Sequence, residues 1–276
     1  MSMRVNLHAR RVLLIVQHCT KPVSNAITRV IAVGASNLTR GFQAVVSTAR
    51  TVWGREVEVI AALGHGRSYG AQSRFIGRTL PGILESDLWD TLARLPPASA
   101  RALMTDVGND ILYGYSPAQI VDWVDETADR LQRITSDVIL TDLPLGNIRR
   151  LSNARFLFFR SVLFPSSRLS LVQVADRAAE VNEGLASLAA ARGLRFFQLK
   201  SEWYGFDPVH IQPSQWRHAW QDILCGEARA IRSVSSWSEG MRLYVMRPQR
   251  QWLFGVEQVS PQAGLRLPAG GRVWLY

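Results

Sequence analysis

The fold is decided by one stretch, Val30-Ile31-Ala32-Val33-Gly34-Ala35-Ser36-Asn37-Leu38-Thr39-Arg40-Gly41. An apolar run rich in β-branched residues ends at Gly34, and a serine follows two residues later. Apolar residues then recur at helical spacing, at Leu38, Phe42, Val45, Val46 and Ala49. The pattern predicts a strand, a tight turn that carries Ser36, and a helix over residues 38–53.

Ser36 suits two roles at this position. A turn after a strand of an open parallel sheet lies at the carboxyl end of that strand, where ligands bind. The start of the following helix offers free backbone N–H groups and a partial positive charge to an oxyanion. Ser36 can therefore be a nucleophile, or it can be a helix N-cap, a role that serine often fills.

Composition limits the class of protein. The chain has 276 residues, 47% of them hydrophobic, and a formal net charge of +10. This length fits one large α/β domain with or without a small appendage. Arginine carries the charge in scattered positions, which excludes a typical nucleic-acid-binding surface. A solvated basic surface is expected, with attraction to anionic substrates or lipid headgroups as the alternative.

The cysteines and the apolar segments indicate where in the cell the protein is expected. Two cysteines, Cys19 and Cys225, form neither a disulfide framework nor a metal site, so we expect no metal. The apolar run after Arg10-Arg11 is too short for a signal peptide, and no stretch approaches the roughly 18 apolar residues of a membrane span. These features predict a cytoplasmic protein with at most a weak surface association; they do not indicate the oligomeric state.

Strands alternate with helices along most of the chain. The five predicted strands are Ile27–Val33, Glu56–Leu63, Arg101–Val107, Asp137–Leu143 and Leu194–Leu199. Helices are predicted over 38–53, from Ser116-Pro117 onward, over Leu171–Ala191 and over 214–231. This alternation predicts a flavodoxin-like three-layer α/β/α fold with a parallel sheet in the order 2-1-3-4-5.

The remaining segments are less regular. Residues 1–25 are expected to be a leader or edge segment, 26–231 the main domain, and 232–276 a small C-terminal β extension. A helical region interrupted by prolines is predicted over 71–98, and residues 147–170 are predicted to be loop and short helix that form a lid or a wall over a pocket. Both segments are expected to contribute to the walls of that pocket. The C-terminal strands are predicted at Met241–Met246, Trp252–Val259 and Arg272–Tyr276.

Four loops that follow predicted strands carry the groups that acyl transfer needs. Ser36, Gly66 and Asn109 follow the first three strands, and Asp207 with His210 follows the fifth. In the predicted fold these loops lie on one edge of the sheet. A serine needs a histidine to accept its proton, and the histidine needs an acceptor that holds its tautomer. The spacing of three residues between Asp207 and His210 can supply that acceptor.

These motifs resemble those of the SGNH/GDSL hydrolase family. Its marker residues are a serine in Gly-Asp-Ser, a glycine, an asparagine in Gly-x-Asn-Asp, and a histidine in Asp-x-x-His. The matching residues are Ser36 in Gly34-Ala35-Ser36, Gly66, Asn109 in Val107-Gly108-Asn109-Asp110, and His210 in Asp207-Pro208-Val209-His210. The similarity covers about residues 26–230. Ala35 and Val107 depart from the family pattern, so the chain resembles a divergent member of the family.

The resemblance implies a serine esterase that needs no cofactor. In that role Ser36 is the nucleophile, His210 the general base and Asp207 its orienting acid, while Ser36, Gly66 and Asn109 form the oxyanion hole. The substrate would be a small acyl ester, such as a lipid or an acetylated sugar. The alternatives are an O-acyltransferase that uses the same site and a catalytically silent module that binds a ligand or partner.

A second serine motif lies close to the first site. Gly66-Arg67-Ser68-Tyr69-Gly70 matches the G-x-S-x-G elbow of α/β-hydrolases, but the strands and the oxyanion loop that this fold needs upstream are missing. We therefore expect Ser68 to cap a following helix. The other residues expected near the pocket are Asn37, His65, Arg67 and Asp110, with hydrogen bonding in the loop as the main role of Asp106 and Asp110.

Overall fold

The computed structural model of the protein describes residues 27–226, 236–268 and 270–276. The predicted leader over 1–25 and the end of the predicted last helix, 227–231, lie outside these ranges. Within them, no helix is long and apolar enough to cross a membrane.

A seven-stranded sheet forms the centre of the described part of the chain. Its strands stand in the order β10-β11-β2-β1-β5-β6-β7, and only β10 runs antiparallel to its neighbour. The five inner strands are β1 (Thr28–Val33), β2 (Glu58–Ala62), β5 (Ser99–Met104), β6 (Val138–Thr141) and β7 (Arg195–Phe197), and the two added strands are β10 (Leu265–Arg266) and β11 (Arg272–Leu275). The inner strands follow the order 2-1-3-4-5, so the predicted topology is confirmed.

Helices cover both faces of this sheet. They are α1 (Ser36–Trp53), α2 (Leu88–Arg94), α3 (Asn109–Leu112), α4 (Pro117–Gln132), α5 (Leu145–Arg149), α6 (Asn153–Leu163), α7 (Leu171–Arg192), α8 (Trp216–Cys225) and α9 (Trp237–Tyr244). Every residue of β1 and β2 is buried. Alternate residues of these strands enter two hydrophobic clusters, one against α4 and α7 and the other against α1 and α8. Strands buried on both faces explain the continuous apolar runs in the sequence.

Local capping chemistry sets the ends of the long helices. Ser116 precedes Pro117 and accepts the Gln119 N–H at the start of α4. Ser170 forms a capping box with Gln173 at the start of α7, an arrangement that satisfies two backbone donors. Gly193, with a φ of 66°, ends α7 in the left-handed conformation that glycine favours.

The predicted helical region over 71–98 is largely wrong. Strands β3 (Ser73–Phe75) and β4 (Arg78–Leu80) form a hairpin there, and only the short α2 is helical. The two turn residues Ile76 and Gly77 both have positive φ, 43° and 73°. Such angles define the tight turn that matches the twist of paired strands. The hairpin pairs with β8 (Arg250–Leu253), which pairs in turn with β9 (Val256–Val259).

The strand predicted at Met241–Met246 is also wrong, because its first four residues form the end of α9 and the last two follow the helix. Ser236 caps the helix by accepting the Glu239 N–H. The buried carboxylate of Glu239 accepts hydrogen bonds from Arg50 on α1, one of them at 2.8 Å. Leu243 lies one turn further along and is buried in the same cluster as α1. Glu239 and Leu243, which contact α1, are four residues apart, as on one face of a helix. This packing outweighs the alternating pattern that predicted a strand.

The predicted C-terminal β segments divide between the two sheets. Strands β8 and β9 join the hairpin sheet, whereas β11 pairs with β2 and extends the main sheet. The last strand thus lies directly beside the inner strands that carry the candidate site.

Close packing of α1 on α8 predicts the effect of Gly41→Ala. A Cβ atom at Gly41 would lie 2.8 Å from Cδ1 of the buried Trp220 and closer still to its Nε1. We expect the free energy of unfolding to fall by about 1–3 kcal/mol, because the indole has to move. Urea denaturation measures this loss. Gly146→Ala in the exposed part of α5 is the control, since its Cβ would meet only one atom, at 3.7 Å. An equal loss in both variants would contradict the packing explanation.

Candidate active site

The start of α1 lies directly above the carboxyl end of β1. Helix α1 begins at Ser36, two residues earlier than predicted, and its N-cap is Ala35, which makes no side-chain capping bond. Gly34 permits the close approach of this turn to Thr105, the residue after β5, since a Cβ at Gly34 would lie 2.7 Å from Thr105 Cγ2. The Ser36 hydroxyl is therefore not used as a helix cap.

A chain of two hydrogen bonds joins Ser36, His210 and Asp207. The Ser36 Oγ lies 2.9 Å from His210 Nε2, and His210 Nδ1 lies 2.6 Å from Asp207 Oδ2. An ionised carboxylate can only accept, so the proton of the imidazole sits on Nδ1 and Nε2 is left as an acceptor. This tautomer is the one that can take the hydroxyl proton of Ser36.

The loop around Asp207 holds the carboxylate in place. Its Oδ1 accepts the backbone N–H groups of Val209 and His210, at 3.1 and 3.2 Å. Burial acts to raise the pKa of Asp207, but the hydrogen bond and the charge of His210, the Val209 N–H and the nearby Arg40 together lower it below its ordinary value. Arg40 Nη1 lies 3.8 Å from Oδ2. Asp207 is thus ionised in the folded protein over a wide range of pH.

Asp106 fixes the turn that carries Ser36. Its Oδ2 accepts the N–H groups of Ala35 and Leu38, each at 3.0 Å, and its Oδ1 accepts Asn37 Nδ2 at 2.8 Å. The residue has a φ of 61°, a conformation that aspartate and asparagine adopt more readily than most residues. Loop hydrogen bonding was the expected role of Asp106, but its contact with the turn that carries Ser36 was not foreseen.

Asn37 connects the serine turn to the histidine loop. Its Oδ1 accepts the Ile211 N–H at 2.8 Å, and its Nδ2 donates to the Val209 carbonyl at 2.9 Å as well as to Asp106. Asn37 was expected only to line the pocket. The sequence did carry a signal for this contact, since an asparagine at the second position of a helix has donors and acceptors that the helix does not use.

Gly66 and Asn109 line the same cavity as Ser36 and His210. Gly66 has a φ of 68°, and its carbonyl accepts the Tyr113 hydroxyl at 2.7 Å. Asn109 Nδ2 donates to the Arg67 carbonyl at 3.3 Å. Because an amide nitrogen carries two hydrogens, this bond leaves a second N–H for a ligand.

His65 also lines the cavity, beside Phe75, with its ring stacked at a centroid distance of 5.7 Å. Burial is the main cause that lowers its pKa to about 4, and the charges of Arg78 and Arg40 act in the same direction. The imidazole is therefore neutral at neutral pH.

Arg67 and Asp110 were expected near the pocket, but the structure places them elsewhere. Both are fully buried, and neither lines the cavity. Arg67 donates to the backbone carbonyls of Leu63, Pro81 and Tyr276. Asp110 accepts the Tyr69 N–H at 3.0 Å, and burial raises its pKa to about 6. Through these buried hydrogen bonds, the two side chains stabilise the loop that carries Gly66.

Ser68 is fully buried, and its Oγ accepts the Ala71 N–H at 2.9 Å. No helix follows it, because the chain enters β3 instead, so the expected helix cap is wrong. A buried hydroxyl in this turn is not accessible to a substrate.

An apolar cavity of about 140 Å³ opens beside Ser36. Much of its wall comes from α5, α6 and α7, through Ile148, Phe156, Phe159, Leu163, Val174 and Ala178. The segment 147–170 thus walls the pocket as expected, whereas the segment 71–98 contributes only Phe75. Asp142 and Tyr204 add polar groups to the lining, and burial raises the pKa of Asp142 to about 6.

Comparisons with known proteins give structural neighbours only. No family model matches the chain, and no curated protein does. The solved structures that it resembles include a lipolytic G-D-S-L family protein from Veillonella parvula DSM 2008, with 15% identity over 70% of this chain and 94% of that one, at a TM-score of 0.46. The psychrotrophic esterase EstA from Pseudoalteromonas sp. has 11% identity over 72% and 95%, at a TM-score of 0.45. TesA has 14% identity over 71% and 95%, at a TM-score of 0.43.

The lowered pKa of Asp207 predicts a pH-dependent contribution to stability. A carboxylate of this kind stabilises the fold above the ordinary carboxyl pKa of about 3.9, and the contribution is lost as the pH falls through the lowered folded-state value. We expect Asp207→Asn to unfold at lower urea than the parent at neutral pH, and the difference to close in strong acid. Asp122→Asn, at an exposed position of α4, is the control for the change of charge. A pH-independent difference for Asp207→Asn would contradict this account.

Proposed function

We propose that this chain is a divergent serine hydrolase of the SGNH type that cleaves carboxylic esters through an acyl-enzyme on Ser36. The observation that carries the proposal is the hydrogen-bonded series from Ser36 Oγ to His210 and on to Asp207 at the mouth of an apolar cavity. The motifs at Gly66 and Asn109, which line the same cavity, support it.

In the first step the Ser36 oxygen attacks the ester carbonyl and His210 Nε2 takes the hydroxyl proton. A bond forms between Oγ and the carbonyl carbon, and the carbonyl π electrons move to the oxygen. Asp207 stabilises the imidazolium through the hydrogen bond at Nδ1. When the tetrahedral intermediate collapses, the leaving alcohol takes the proton from His210. Water then repeats the sequence, with His210 as the base, and releases the acid.

The oxyanion needs donors that point at it before the reaction starts. Asp106 accepts the N–H groups of Ala35 and Leu38, on either side of Ser36, but not that of Ser36 itself. In our proposal the Ser36 and Gly66 N–H groups and the second amide hydrogen of Asn109 bind the oxyanion. Loss of one such donor typically costs about 2.7–4 kcal/mol of transition-state stabilisation.

The cavity indicates the size of the acyl group. An apolar cavity of about 150 Å³ can hold benzene, which has six carbons. The cavity beside Ser36 has about 140 Å³ and an apolar wall. We therefore propose an aliphatic acyl group of about six carbons as the preferred substrate.

Reaction with a fluorophosphonate tests the nucleophile. Ser36 Oγ should form a bond to phosphorus as fluoride leaves, which intact-protein mass spectrometry detects. We expect Ser36→Ala to abolish labelling and ester hydrolysis, while Ser68→Ala retains both, because Ser68 is buried against Ala71.

Circular dichroism should confirm that both variants fold. Labelling that persists in Ser36→Ala and disappears in Ser68→Ala would reverse the assignment. A folded parent protein that never reacts at Ser36 would instead favour the silent binding module.

The size of the cavity predicts chain-length specificity. Across p-nitrophenyl esters, kcat/KM should rise about 2–4-fold for each methylene up to about six carbons, since each buried methylene contributes about 0.8 kcal/mol at most. Beyond that length it should level off or fall. Steady-state kinetics over a series from acetate to dodecanoate measures this dependence.

Ala178→Leu should fill part of the cavity and shift the optimum to shorter esters. Ala189→Leu is the matched control, because Ala189 is buried on the same helix α7 but does not line the cavity. An optimum that stays in place in Ala178→Leu, or that shifts equally in both variants, would contradict the assignment of this cavity to the acyl group.

A further inference from the structure

Helix α6 exposes an apolar stripe to solvent. Ala154, Leu157, Phe158 and Val162 recur at helical spacing and are all exposed, Phe158 to 61%. Such a stripe on a globular protein is usually buried against another element. Leaving large apolar side chains in water forgoes about 1.5–3 kcal/mol each, so a contiguous set indicates an interaction surface.

The opposite face of α6 is apolar as well. Phe156, Phe159 and Leu163 from that face line the cavity beside Ser36. The helix therefore separates the cavity from the exposed stripe, and it is apolar on both sides. Whatever covers the stripe lies within one helix diameter, roughly 10 Å, of the cavity wall.

The stripe continues onto the loop that carries the candidate acid. Phe206, immediately before Asp207, is 72% exposed. Its ring centroid lies 6.1 Å from that of Phe159, which lines the cavity, and the Phe159 ring lies 5.5 Å from that of Phe158 in the stripe. The Arg155 guanidinium lies 4.4 Å above the Phe206 ring. Arg155 also donates to the Phe206 carbonyl. The apolar surface thus borders the mouth of the cavity from both α6 and the histidine loop.

The chain around α6 is strongly basic. Residues 143–175 contain no aspartate, glutamate or lysine and carry five arginines, Arg149, Arg150, Arg155, Arg160 and Arg168. Arg149, Arg150 and Arg168 are exposed. In the described ranges, none of the five forms a salt bridge, in contrast to Arg130 on α4 and Arg192 on α7. Apolar side chains flanked by arginines match a surface with an apolar interior and anionic headgroups.

We propose that α6, with Phe206 and the flanking arginines, docks the protein on an anionic lipid surface, so that the cavity beside Ser36 opens at the interface. The exposed stripe enters the boundary between headgroups and acyl chains, and Arg149, Arg150 and Arg168 contact the anionic headgroups. Docking needs no reaction at Ser36; only the delivery of a lipid ester to the cavity rests on the proposed function.

Vesicle co-sedimentation of the full chain tests the proposal. The probes are vesicles of phosphatidylcholine alone and vesicles in which phosphatidylglycerol replaces part of it. We expect binding to the anionic vesicles that weakens with added salt, and much weaker binding to neutral ones. Ser36→Ala should bind as the parent does, which separates docking from turnover.

Two surface variants locate the contact. Arg149→Glu/Arg150→Glu should lower the partition coefficient on anionic vesicles by at least about 10-fold, since each exposed arginine near such a surface contributes about 1 kcal/mol. Phe158→Ser should lower it about 10-fold. None of these three residues lines the cavity, so hydrolysis of a small water-soluble ester should remain.

Matched controls make the same changes at the opposite edge of the sheet. Arg55→Glu/Arg94→Glu reverses two exposed arginines that lie near the amino ends of β2 and β5, and Ile134→Ser removes an exposed apolar side chain near the amino end of β6. These variants should bind anionic vesicles as the parent does. Equal losses in both sets would show that vesicle binding does not depend on the surface of α6 and would overturn the proposal.

Three other results would also overturn it. One is a full chain that binds no vesicles. Another is equal binding to neutral and anionic vesicles. The third is a concentration-dependent dimer that Phe158→Ser abolishes, measured by sedimentation velocity, since the stripe would then be the contact between two copies. Vesicle binding without any esterase activity would support docking and count only against the proposed function.

Discussion

The hydrogen bonds of Asn37 and Asp106 hold three distant pieces of chain at one point. Asp106, after β5, accepts the N–H groups of Ala35 and Leu38 at the start of α1, and Asn37 in the first turn of α1 accepts the Ile211 N–H of the histidine loop. The distance of 2.9 Å between the serine hydroxyl and the imidazole depends on this arrangement. Parallel strands bring the three loops to one edge, but these side chains fix their relative positions.

The same edge combines a polar site with an apolar wall. The hydroxyl, imidazole and carboxylate lie on loops that hydrogen bonds hold in place, whereas the wall of the cavity comes mainly from helices α5, α6 and α7. Helix α6 cannot bury both of its apolar faces against the described chain, since one lines the cavity and the other is exposed. Helix α6 is therefore apolar on two faces, one that lines the cavity and one that lies at the protein surface.

Local patterns predicted the main sheet well and the connections poorly. The inner strands are buried on both faces, so their apolar runs are long and unambiguous. The hairpin at Ile76-Gly77 escaped because isoleucine rarely adopts a positive φ, and its two strands are only three residues each. Helix α9 was taken for a strand because Glu239 and Leu243 face α1, and no local signal reports that contact.

By itself, the sequence determined the alternation of strands and helices, the order of the inner strands, and the edge on which Ser36, Asn109 and His210 meet. These features follow from hydrophobic periodicity and from the handedness of parallel connections. Only the tertiary structure decided that Ser36 bonds to a histidine 174 residues away, instead of capping its helix, and that Arg67 points into the core. Such choices depend on which partner lies within about 3 Å, and a hydrogen bond between residues far apart in sequence leaves no periodic trace in either segment.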